Sequence, residues 1–144
     1  MQSDVLASLR RLSDDELVTR VKELVAGERG SMVQVVAHLA ELSTRDVHFR
    51  LGHGSLFAYC RDVLGLSEQE AYNRICVARA ARRYPVILQM LEDGWLNLTT
   101  GRLLVPHLTP DNHIGILEQA RGKTKAQVEE LAAALWPRPD VPSF

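Results

Sequence analysis

Apolar residues recur along this chain at three- and four-residue spacings, and almost nowhere in the strict alternation of a half-buried strand. The pattern predicts one helix after another. The longest stripe runs through Leu17, Val21, Leu24 and Val25, then Met32, Val35, Val36 and Leu39, and it keeps phase across Gly27 and Gly30. Each glycine costs a helix about 1 kcal/mol relative to alanine, yet a true loop would preserve phase only by coincidence. One continuous helix from 14 to about 46, with any bend at the glycines, is therefore expected. Shorter helices are expected near 4–11, 55–64, 68–83, 86–93, 99–107, 111–120 and 125–135.

Start and stop signals sharpen these boundaries. Ser13 with Glu16, Ser67 with Glu70 and Thr124 with Gln127 have the spacing of capping boxes, in which each side chain satisfies the other's free backbone N–H. Thr109 followed by Pro110 reads as a cap with proline at the first helical position. Tyr84-Pro85 ends one helix and opens the next, because proline cannot continue a helix but suits its first turn. The expectation is an all-α, multi-helix bundle with one long N-terminal helix, a single domain over 1–136. Residues 137–144, with three prolines, read as a Pro-rich linker or tail leading to a further segment.

Composition narrows the class. The chain has 144 residues, 46% hydrophobic and 24% charged, which fits one globular domain with a real core. No apolar run approaches the ~18 residues of a membrane span, and the N-terminal segment lacks a secretory signal, so a cytoplasmic protein without membrane contact is expected. Cys60 and Cys76 are too few for a disulfide scaffold and read as reduced.

Seventeen basic and eighteen acidic residues give a net charge of −1, which excludes a globally basic nucleic-acid binder. The charge is uneven: residues 53–91 carry five basic and three acidic residues, and Ala71–Leu91 contains four arginines and no acid. The same region reads as helix, glycine-containing joint (Gly65-Leu66-Ser67), polar-basic helix, the outline of a helix-turn-helix. On that reading Asn73, Arg74, Arg79, Arg82 and Arg83 are the candidates for DNA contact, at base edges and phosphates. Two features depart from the pattern. Arg61 stands where a small residue usually precedes the turn, and Arg74 lies on a different side of the helix from Arg79 and Arg83. A core helix with solvated arginines near its C-terminus is the plainer reading of the same residues.

No catalytic or metal constellation emerges. His38, His48, His53, His107 and His113 form no HxxxH pair and have no neighbouring cysteine, so core or turn histidines are expected and no metal or other cofactor is assigned. There is no G-x-S-x-G and no phosphate-binding glycine loop. Gly122-Lys123-Thr124-Lys125 is explained by helix capping.

A series of short motifs does carry a resemblance. It runs Gly54-Ser55-Leu56-Phe57-Ala58-Tyr59-Cys60, Leu64-Gly65-Leu66-Ser67-Glu68, Ala71-Tyr72, Ala78-Arg79, Ala81-Arg82-Arg83-Tyr84-Pro85, Leu103-Leu104, Pro106-His107-Leu108-Thr109, Gly122-Lys123-Thr124-Lys125, Val128-Glu129 and Pro137-Arg138-Pro139-Asp140-Val141-Pro142. Over about residues 13–142 the chain resembles the N-terminal helical region of bacterial HNH-endonuclease-type proteins. The nuclease module of that family follows this region and has no counterpart here, so the resemblance transfers no catalytic or metal-binding residue. It implies a non-catalytic helical domain that positions, recruits or dimerises a nuclease.

Two readings of function result. The first is DNA binding or positioning through the arginine-bearing helix. The second is a protein-interaction module without nucleic-acid contact, with no small-molecule substrate in either case. The acid-free arginine segment and the resemblance favour the first, which is the expected function, whereas the near-neutral charge favours the second. The long helix exceeds what a domain of ~15 Å radius of gyration can enclose. A homodimer is expected on a face containing Val21, Val25, Met32, Val36 and Leu39.

Overall fold

The computed structural model describes residues 2–137, and every regular element among them is helical. The tail expected over 137–144 lies, apart from Pro137, outside the described residues. In chain order the elements are α1 (Gln2–Leu9), α2 (Asp14–Arg45), α3 (Val47–Arg50), α4 (Leu56–Asp62), α5 (Glu68–Arg83), α6 (Val86–Glu92) and α7 (Leu98–Leu104). A 3-10 turn (Val105–His107), α8 (His113–Ala120) and α9 (Lys125–Leu135) follow.

The expected caps form. Ser13, Ser67 and Thr124 each accept from the backbone N–H three residues on, and Glu16, Glu70 and Gln127 return the bond. Tyr84 ends α5 and Pro85 precedes α6. Some details differ from expectation. Asn97 and Thr100 make a fourth capping box at the start of α7. Thr109 accepts from the Asn112 N–H, but the segment 110–112 is a turn and α8 begins only at His113. α2 ends where expected, at Arg45, because Asp46 adopts a left-handed conformation (φ 52°), which aspartate tolerates better than most residues. The four-residue α3 then continues in a new direction.

The core is built around α5. Its buried residues are Ala71, Ile75, Val77, Ala78, Ala80 and Ala81, which spread over more than half of the helix circumference. α2 packs along it, flanked by α4, α6 and α7, and α9 lies on α7. The helix-turn-helix outline is present locally, since α4, Gly65 at φ 71° and α5 follow in order. Its second helix is nevertheless the centre of the bundle.

α2 is one continuous helix of 32 residues, about 48 Å long. Only its second half belongs to the core, through Val33, Val36, Leu39 and Ala40. From Asp14 to Glu28 every residue is exposed. α2 leaves the body at Arg29, whose Nε donates to the Glu92 carbonyl at 3.3 Å. Beside that exit, a Cβ at Gly27 or Gly30 would meet nothing within 4 Å.

Neither glycine is therefore required by packing, and both sit in plain helix. Gly27→Ala and Gly30→Ala should each stabilise the exposed half of α2 by up to about 1 kcal/mol. Amide hydrogen exchange between Val18 and Leu24 should slow in both variants. Unchanged or faster exchange would mean that the helix needs those glycines.

Candidate functional site

Two surfaces hold the residues singled out from the sequence. The first is the exposed face of α5. α2, α4, α6 and α7 pack around α5, and one stripe that stays open along its length is formed by Tyr72, Cys76, Arg79 and Arg83 at i, i+4, i+7 and i+11. The stripe floors a groove of about 520 Å³ whose walls are Ser55, Leu56 and Phe57 at the start of α4 and Val105 beyond α7. A second cavity of about 820 Å³ shares Tyr72 and Cys76 and continues toward Arg102, His107 and Trp136. The two adjoin at these residues, and together they are called the trough.

The five predicted contact residues do not form one surface. Arg79 and Arg83 line the groove. Arg82 turns to α2 and pairs with Glu41 at 3.2 Å, an exposed ion pair of about 0–1 kcal/mol. Arg74 folds back on the Glu70 carbonyl and Asn73 bonds Gln69. Glu70, in the cap that starts α5, is held below the usual carboxylate range by hydrogen bonds from Ser67. That cap is therefore intact above the ordinary carboxylate pKa and is lost as pH falls through the lowered one.

Sequence reasoning missed Arg102. It comes from α7, some thirty residues downstream in sequence from α5, so no local pattern links them. Its guanidinium carbon lies 5.8 Å from the centre of the Tyr72 ring. Its Nε is buried with no hydrogen-bond partner within the chain. Arg79 bonds only the Ser43 hydroxyl, at 3.4 Å, and Arg83 rests over the Tyr84 ring at 5.4 Å. Among the described residues no carboxylate lies within ion-pair distance of Arg79, Arg83 or Arg102. Three cations thus border the two cavities without an ion pair of their own, and the one carboxylate lining the Arg102 end, Glu129, is paired with Lys125 at 3.9 Å. Tyr72 was quoted in the motif series but not as a contact. Its phase with Arg79 and Arg83 was the available signal.

The second surface is the free half of α2. Leu17, Val18, Val21, Leu24 and Val25 are 39–59% exposed. The expected dimer face therefore divides. Val21 and Val25 are open to solvent, whereas Val36 and Leu39 are in the chain's own core and Met32 packs against it. The stripe keeps its phase throughout, but its second half is covered by α5 and α6. Measured around the helix from Val21, the five open residues fall within about ±60°. Their spacing is also symmetric about Val21: Leu17 and Val25 lie four residues away on either side, Val18 and Leu24 three.

The histidines serve local structure. His107 stacks on Trp136 and His113 on Tyr84, His53 meets the edge of Tyr59, His38 bonds the Gln34 carbonyl, and His48 is buried against Phe49. Among the described residues no group of three or more His, Cys, Asp or Glu could hold a metal ion. No helix among them is long and apolar enough to cross a membrane. No family model, curated protein or solved structure matches the chain.

Cys76 reports on the trough. Burial raises its thiol pKa, while the nearby charges of Arg102 and Arg79 pull it down. Removing either arginine should therefore raise that pKa further. In a pH–rate profile for reaction with an aromatic disulfide reagent, Arg102→Gln should move the inflection of Cys76 to higher pH. A shift to lower pH, or none, would show that the guanidinium does not act on the sulfur.

Proposed function

We propose that this chain is a non-catalytic helical interaction module that pairs with a second copy of itself through the free half of α2. The observation that carries the reading is the solvent-exposed stripe Leu17, Val18, Val21, Leu24 and Val25 on a helix that stands clear of its own core. A soluble domain leaves so continuous an apolar face open chiefly where a partner covers it. The symmetric spacing about Val21 favours a second copy over an unrelated partner. A two-fold axis at Val21 in an antiparallel pair sets Val21 against Val21, Leu17 against Val25 and Val18 against Leu24. Val5, Leu6 and Leu9 of α1 are also exposed and enlarge the apolar surface at the same end.

Sedimentation equilibrium across micromolar concentrations tests this. The mass should rise from the 16.1 kDa of one chain toward twice that value. Val21→Asp should hold it at the monomer mass with the thermal transition of the body unchanged, since Val21 touches none of the core. A monomer at every concentration would rule the pairing out.

A second reading rests on a different observation, the acid-free arginine face of α5 with Arg102 beside it. We infer that this face contacts nucleic acid, in keeping with the resemblance to a region that precedes HNH nucleases. On this reading the module positions a nuclease and cleaves nothing itself. Arg79 and Arg83 are its phosphate contacts, while Arg74, Arg82 and Asn73, engaged within the chain, contribute less. Log affinity for nucleic acid should then fall with log salt, and Arg79→Ala with Arg83→Ala should flatten the slope by about one to two units. An unchanged slope in the double variant would remove these arginines from the interface.

A further inference from the structure

The nucleic-acid reading leaves open which form of nucleic acid the trough can take, and the geometry bears on that. A recognition helix reads duplex DNA by projecting into the major groove. α5 cannot project, because neighbours cover it on most sides and its open stripe is the floor of a groove between α4 and the turn after α7. A single strand fits where a duplex does not, since its bases turn outward and enter recesses one at a time. The trough has the two components that such a strand requires. Tyr72 offers a ring that is 53% exposed, with Phe57 on the adjoining wall. Arg102 lies 5.8 Å from the centre of that ring, and Arg79 and Arg83 follow it along the groove floor. None of the three has a carboxylate within ion-pair distance; Glu129, at the Arg102 end, is paired with Lys125.

We propose that the trough binds a short stretch of single-stranded nucleic acid, one base stacked on Tyr72 and the adjoining phosphates held by Arg79, Arg83 and Arg102. This rests on the nucleic-acid reading above and narrows it. The charge complementarity is local: the chain as a whole is at −1, so attraction comes from the three unpaired guanidinium groups and not from a general basic surface. The buried, unpartnered Nε marks Arg102 as the arginine whose hydrogen bonding the chain leaves incomplete. The apolar lining of the trough, including Val105, Leu103 and Trp136, suits a base and not a bare inorganic anion.

Fluorescence anisotropy of a labelled oligothymidine with the full chain, at low salt, tests the proposal. Unlabelled duplex of equal length, thymidine monophosphate and polyglutamate serve as competitors. The single strand should bind, and duplex should compete poorly. The salt slope should be near −2, from about −0.7 for each of three phosphates. Tyr72→Ala should weaken binding about tenfold, as loss of one base-stacking platform does, while Tyr72→Phe should retain it. Arg102→Ala should lower the slope by about 0.7. Duplex binding as tight as the single strand would overturn this inference and leave the nucleic-acid reading standing. Binding of neither form would overturn both. An intact affinity in Tyr72→Ala, with the fold confirmed by its thermal transition, would also overturn the stacking site. So would competition by the mononucleotide or by polyglutamate as strong as that of the strand.

Discussion

Alanines 71, 78, 80 and 81 give α5 so little side-chain bulk that α2, α4, α6 and α7 can all lie close against it. α7 packs on it at Gly101, where a Cβ would stand 3.4 Å from the Val77 methyl and 3.5 Å from Leu96, in ordinary contact. Close-packed interiors tolerate little added volume. Once α5 is enclosed in this way, its remaining face has no freedom of placement. Tyr72, Cys76, Arg79 and Arg83 line up along one open stripe, and Arg102, carried on α7, arrives beside them. The trough follows from the packing of small residues on the opposite side.

The same enclosure decides the fate of α2. α5 and α6 can cover only the length of α2 that faces them, and that length ends at Arg29. The covered and uncovered parts belong to one helix with one apolar phase. Val36 and Leu39 are buried, while Val21 and Val25, on the same stripe, remain in water. Nothing in the local chemistry of the two halves differs. What differs is the presence of neighbours.

That contrast explains how much could be read before the structure. The capping boxes at Ser13, Ser67 and Thr124, the Tyr84-Pro85 boundary and the continuity of α2 were legible, because each depends on residues within a turn or two of one another. The late start of α8 and the short α3 after Asp46 depend on how the chain turns and were not. Periodicity marked an apolar stripe on α2 but carried no information on which part the chain would cover itself. The arginines were found as a cluster in sequence, although Arg82 and Arg74 are engaged by Glu41 and the Glu70 carbonyl. Arg102, distant in sequence, was beyond any local pattern.

The exit of α2 from the body has a mechanical consequence. Arg29 fixes the helix at one point against the Glu92 carbonyl, and the two glycines flank that point at 27 and 30. Fifteen residues project beyond it, from Glu28 back to Asp14, a stalk of about 22 Å. Glycine pairs are where helices bend most readily, and a bend of about 10° there carries the tip sideways by about 4 Å. The stalk is thus stiff along its axis and compliant at its root. Whatever grips its tip holds the body at a set distance while leaving its orientation to adjust.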